Sequence, residues 1–300
     1  MGLRAGGKSL SCLVMSQTSE VSSRPTGRDR IRQVAVVVSA VLAVVGSFIG
    51  SGAAGGTPIA EAAGGALSAN STMVAPAGPA FAIWSVIYTG LVTYAVYQLL
   101  PRTAADPLHR AIGVPVVLSL LLNAGWILSI QAGLLWLSVP MIVLLLASLI
   151  WVLAVVRRLR PVGVRRPGRV IEALLVDGVF GLYLGWLTIA TVANTAAALT
   201  AAGFDGFGAP ADAWGIGLLV VAGLLGLGLA VWSRGRSAFL VSLSWGIAWV
   251  GVSRLTGSLE SVAVAVTAFI VAGVLAVALV VLAVRAAVRY TRAGRATRAA

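Results

Sequence analysis

Nine residues in three apolar stretches carry the chemistry this chain has to offer. Phe81, Trp84 and Tyr88 lie in PAGPAFAIWSVIYTG (76–90), and Asn123 and Trp126 lie in LLLNAGWILS (120–129). Tyr183, Trp186, Ala190 and Asn194 lie in LYLGWLTIATVANTAA (182–197). These are groups that bind rather than groups that move protons. Aromatic faces supply contact area and stacking, and a few amides fix the pose of a flat apolar ligand. The catalytic inventory is thin. The only cysteine is Cys12, in a polar tail, and the only histidine is His109, between apolar runs. There is no H-E-x-x-H, no P-loop and no Ser/His/Asp set. A haem iron among the nine residues would find neither His nor Cys as an axial ligand. The reading is a binding cleft without catalytic residues, metal ligands or a resident cofactor.

The elements that position these residues follow from composition. Of 300 residues 59% are hydrophobic and 10% charged. A bilayer core of about 30 Å is crossed by about 20 apolar residues in a helix. Eight such runs occur: 34–51, 80–99, 112–132, 136–156, 171–199, 214–232, 238–254 and 261–284. They are continuous rather than alternating, which excludes a β-barrel, and a spanning helix satisfies its own backbone. The fold class expected is all-α, a polytopic membrane helix bundle of five core helices plus three more. Chain direction then sets depth. Phe81, Trp84 and Tyr88 share one face at spacings of three and four. Trp126 follows Asn123 by one turn, and Asn194 follows Trp186 by two. All three sets fall at a similar level in the outer half of the bilayer, under the long loop 52–79.

The net charge of +13 is an orientation signal rather than a nucleic-acid footprint. Of the 22 Lys and Arg, 21 fall in 1–33, 100–111, 157–169, 233–237 and 285–300. The intervening loops carry Glu61, Asp205, Asp212 and Glu260, and the remaining cation is Arg254. This positive-inside pattern places both termini in the cytoplasm. Four segments are expected: a disordered basic tail (1–33), a five-helix ligand-binding core (34–200), a three-helix extension (201–287) and a second basic tail (288–300). Glu172 and Asp177 are expected near the inner interface, paired with Arg165, Arg166 and Arg169. Gly181 and Gly185 form a small-xxx-small pair that lets helices approach. Trp136, Trp214 and Trp232 read as interface anchors, and Trp245 with Trp249 as packing.

The three stretches resemble the signatures of the tryptophan-rich sensory protein (TspO/MBR) family, also called the translocator or peripheral-type benzodiazepine receptor family. Pro76, Gly78, Phe81, Trp84 and Tyr88 match the start of its second helix. Leu122, Asn123 and Trp126 match L–N–x–x–W of its third. Tyr183, Leu184, Trp186, Ala190 and Asn194 match Y–L–x–W–x–x–x–A–x–x–x–N of its fifth. The resemblance covers roughly residues 34–200. It departs at Pro76–Ala77, where the family has paired prolines, and in the three helices after residue 200. It implies a five-helix bundle that binds porphyrins, and in some members sterols, in a pocket covered by the first loop. Transport, signalling and light-dependent porphyrin breakdown have been proposed for the family.

The expected function is therefore binding of a planar hydrophobic ligand, porphyrin-, tetrapyrrole- or sterol-like, for sensing or translocation. The expected setting is the inner (cytoplasmic) membrane, with the lipid bilayer and the ligand as partners. A homodimer is compatible with the resemblance, and nucleic acid is not expected as a partner. Two alternatives stay open at this point. A permease for a small solute requires a polar file across the whole membrane. A membrane enzyme acting on isoprenoid or tetrapyrrole substrates requires turnover that depends on Trp186.

Overall fold

The computed structural model describes residues 24–52, 57–160 and 170–299, with side chains as far as Val288. Eight helices are long and apolar enough to cross a membrane, one for each run read from the sequence. They are α1 (Gly27–Gly50), α2 (Gly78–Tyr97), α3 (Pro107–Gln131), α4 (Leu135–Leu159), α5 (Val170–Ala201), α6 (Ala211–Trp232), α7 (Ala238–Thr256) and α8 (Val262–Ala299). No strand occurs among the described residues. The protein is an all-α polytopic membrane bundle.

Helix ends differ from the apolar runs where polar groups extend them. α1 starts at Gly27 rather than at residue 34, so the last seven residues of the expected disordered tail are helical. Its start is fixed by a capping box. The Thr26 backbone N–H and hydroxyl both donate to Asp29 at 2.8 Å. Arg110 then clamps Asp29 with two bonds of 2.7 Å. Reciprocal amide bonds join α1 to α2, Gln33 to the Gln98 carbonyl (2.6 Å) and Gln98 to the Gln33 carbonyl (3.0 Å). At the other terminus the α8 backbone stays helical to Ala299, through the segment expected as a tail from residue 288. The rest of the N-terminal tail, residues 1–23, lies outside the described residues.

The packing order is not the chain order. α3 lies between α1 and α4, α4 leads to α5, α5 to α7, α7 to α8, and α8 to α6. α2 rests on α1 and α5. α5 is the most enclosed span, with 61% of its apolar window buried against 28% for α8. Gly181 and Gly185 explain the α5–α7 approach. A Cβ on Gly181 would stand 2.7 Å from that of Ala238, and one on Gly185 would collide with the Phe239 carbonyl. Outward-facing positions such as Leu144, Leu224, Val277 and Val280 are exposed apolar side chains, as lipid contact requires.

One end of the bundle carries the arginines. Glu172 pairs with Arg160, and Asp177 pairs with Arg236 at 2.6 Å and Arg160 at 3.6 Å. Arg165, Arg166 and Arg169, the partners expected from the sequence, lie outside the described residues. Glu172 precedes a π-helical turn, Leu174–Gly178, early in α5, and Asp177 lies within it. His109 is not in a loop. It occupies the first turn of α3, 1% exposed, with Nδ1 3.3 Å from the Tyr94 hydroxyl and Nε2 4.0 Å from Glu172. Asp106, His109 and Glu172 bring candidate ligand atoms within 4.8 Å of one another. The Arg160 cation already sits against Glu172, so the cluster reads as a buried ion network. The opposite end carries the loop after α1 and is called the lid end below.

Candidate ligand pocket

Near the lid end, α2, α3 and α5 turn their aromatic residues toward one another. Trp84 is the hub: its ring stacks on Tyr88 (5.1 Å, 23°) and meets Tyr183 (5.7 Å, 68°) and Trp186 (6.2 Å, 80°) edge-on. Phe81 meets Trp186 at 5.4 Å and 77°. Such offset and edge-to-face pairs are the favoured aromatic geometries. The helix spacings read from sequence produce this cluster, because positions three and four apart share a face.

Two hydrogen-bonded chains hold the rings. In the first, the Tyr88 hydroxyl donates to Asn123 Oδ1 (2.8 Å), and Asn123 Nδ2 donates to the Tyr183 hydroxyl (2.7 Å). This chain ties α2, α3 and α5 together. In the second, Trp126 Nε1 donates to Asn194 Oδ1 (3.1 Å), and Asn194 Nδ2 donates to Ser138 Oγ (3.0 Å). This chain ties α3, α5 and α4 together. Both amides are buried, Asn123 at 1% and Asn194 at 2% exposure. Their hydrogen-bonding capacity is largely spent on protein groups. They orient the aromatic walls more than they offer themselves to a ligand.

A cavity of about 50 Å³ lies among these groups. Of the nine residues singled out from sequence, Phe81, Trp84, Trp126, Trp186, Ala190 and Asn194 line it. Tyr88, Asn123 and Tyr183 do not; they form the bonded layer just beyond it, toward the arginine end. α4 adds Ile142 and Leu145. The lid adds Ile59, Leu67, Ser71, Ala75 and Pro76. A volume of this size holds a few waters but not a ring system, which needs about 300 Å³ or more. Trp186 is 1% exposed, and its indole N–H has no hydrogen-bond partner among the described residues. A buried donor left unmatched costs about 1–3 kcal/mol, so this group stands out from the satisfied amides around it.

The lid and α7 complete the site, and the part played by α7 was not expected from the sequence. The lid is stitched to it. Ala77 N donates to the Trp249 carbonyl (3.1 Å), and Trp245 Nε1 donates to the Ala80 carbonyl (3.0 Å). Ser253 Oγ and Arg254 Nη2 both donate to the Ala69 carbonyl, at 3.2 and 2.6 Å. Ser258 N donates to Asn70 Oδ1 (3.2 Å). Arg254 is fully buried, and a second bond runs from its Nη1 to the Leu259 carbonyl (2.8 Å). On the far side, Gln131 reaches the Gly50 and Thr57 carbonyls at 2.9 Å each. Gly246 of α7 lies against Trp186: a Cβ there would sit 3.4 Å from the indole. Trp245 and Trp249, which read as packing residues, meet at 5.6 Å. The signal that could have linked them to the site was the shared face on which Trp245, Trp249 and Ser253 recur every four residues.

Eight apolar helices, four of which line an aromatic cavity, define a polytopic helical membrane protein. The family model of the TSPO-like proteins matches residues 35–281, and the chain belongs to that family. The match runs past residue 200, where the motif resemblance ends, through α6, α7 and most of α8. No curated protein and no solved structure matched the chain.

Proposed function

We propose that this membrane protein binds a planar hydrophobic ligand, tetrapyrrole-like or sterol-like, in the cavity under the lid, for sensing or translocation. One observation carries the reading: Trp186, buried among stacked aromatic rings, holds an unmatched N–H in the wall of that cavity. An acceptor on a ligand edge satisfies it, while Phe81 and Trp84 supply faces for the ring. Membership of the TSPO-like family supports the same reading. The present cavity is closed down, so binding requires part of the lid segment 57–77 to move. In this reading the arginine end faces the cytoplasm of a bacterial-type inner membrane, by the positive-inside rule, and the lid faces outward. The residues proposed to contact the ligand are Phe81, Trp84, Trp126, Trp186, Ala190 and Asn194. Tyr88, Asn123 and Tyr183 hold those walls in place.

The test is a titration of the purified protein with protoporphyrin, followed by tryptophan fluorescence. Saturable quenching that weakens in Trp84→Ala and Asn123→Ala supports the site. Equal quenching in wild type and both variants means partition into detergent and overturns it.

A further inference from the structure

A second and larger cavity lies on the other side of α5. It is a cleft of about 640 Å³ between the lid-end halves of α5 and α6. α5 and α6 are consecutive in the chain but scarcely touch, because α6 packs on α8 and α8 on α7. α5 lines the cleft with residues that include Thr191, Val192, Thr195, Ala196 and Leu199. It lines the inner cavity with Ala190, Ala193, Asn194 and Ala197. One residue, Ser71 of the lid, lines both cavities.

We propose that this cleft is a receiving site for the same flat apolar ligand, which passes from it into the inner pocket at Ser71; the inference rests on the function proposed above. Four observations carry it. The inner cavity is too small to admit a ring from its closed state, whereas the cleft is within the range of ring-binding sites. The mouth of the cleft has the aromatic surface a flat ligand needs: Phe204 meets Trp214 at 5.8 Å and 72°. Thr72 lines the cleft, is 8% exposed, and its hydroxyl has no hydrogen-bond partner among the described residues. Finally, the lid is bonded to α7 on either side of Ser71 more heavily than at it. Ala69, Asn70 and Ala77 are bonded to α7 or the turn after it. The backbone bonds of Ser71 and Ala75 are local, to Ser68 and Thr72. Ser71, only part-buried, is the point of the lid at which the passage opens, while Arg254, which also reaches the Met73 sulfur at 4.0 Å, holds the residues on either side.

The experiment plugs the cleft reversibly. Ala196→Cys is made in a Cys12→Ser background, so that it is the sole thiol, and modified with benzyl methanethiosulfonate. Protoporphyrin binding in lipid nanodiscs is followed by stopped-flow tryptophan quenching, before modification, after it, and after dithiothreitol removes the plug. A blocked route slows entry and exit alike. The association and dissociation rates should both fall about tenfold, with Kd unchanged within about twofold and full recovery on reduction. Unchanged rates overturn the proposal and leave the cleft to a lipid chain. A raised Kd with an unslowed dissociation makes the cleft the final binding site and overturns it too. Absence of saturable quenching in the unmodified protein removes the inner-pocket reading itself, a failure distinct from the other two.

Discussion

Replacing Trp186 by Phe separates a tryptophan with an unmatched N–H from one whose N–H is bonded by the sign of its effect. Trp186 and Trp126 both line the cavity and both are buried, yet only Trp126 has a partner for its indole N–H. Trimming either indole to phenyl leaves a void of about a methyl group or more, at a cost of about 1 kcal/mol. At Trp126 the change also breaks the bond to Asn194, worth about another 1 kcal/mol. Trp126→Phe is thus destabilised by about 2 kcal/mol. At Trp186 the change removes a donor whose isolation already costs about 1–3 kcal/mol, so the ligand-free protein is unchanged or more stable by up to about 2 kcal/mol. Thermal unfolding of both variants in the same detergent reads the order directly: Trp186→Phe melts at or above wild type, and Trp126→Phe melts below it. With ligand the gap between the variants narrows, because Trp186→Phe loses a hydrogen bond and its protoporphyrin Kd rises about five- to tenfold. Equal destabilisation of the two ligand-free variants would refute the reasoning, since it would mean that the Trp186 N–H is already satisfied.

Two other substitutions test the support around the pocket. Gly185→Ala drives a methyl group into the Phe239 carbonyl of α7; overpacking of this kind costs about 1–3 kcal/mol, and the melting temperature in detergent should fall while Gly217→Ala, which meets no neighbouring atom, leaves it unchanged. Arg254→Met removes the cation that holds the Ala69 and Leu259 carbonyls; hydrogen–deuterium exchange should quicken in lid peptides covering 57–77 and stay at wild-type rates in α3 and α4.

The spans were legible because a bilayer leaves a continuous apolar run few other outcomes. The convergence of Trp84, Asn123 and Trp186 was legible too, because chain direction turns sequence position into depth. What faces what was harder to read. In a membrane the lipid-facing and protein-facing sides of a helix are both apolar, so periodicity loses its contrast. Nothing in the sequence distinguishes Gly246, which lies against Trp186, from Gly217, which faces open space. The amides were read as ligand handles because isolated Asn in an apolar span has no visible partner. The partners of Asn123 and Asn194 sit 35 to 68 residues away along the chain. The early start of α1 was missed for a related reason: the hydrophobic pattern begins after the capping box, while the bond that secures it comes from Arg110.

The stitching between the lid and α7 bears on how the chain can be divided. A protein ending at Ala201 would keep every residue of the three aromatic motifs and both hydrogen-bonded chains. It would lose the Trp249 carbonyl, the Trp245 indole and the Arg254 guanidinium, and with them the roof's fastenings on that side. Such a truncated bundle would stand open above its rings. The last three helices thus serve as scaffolding for a site to which they contribute no lining residue of the inner cavity.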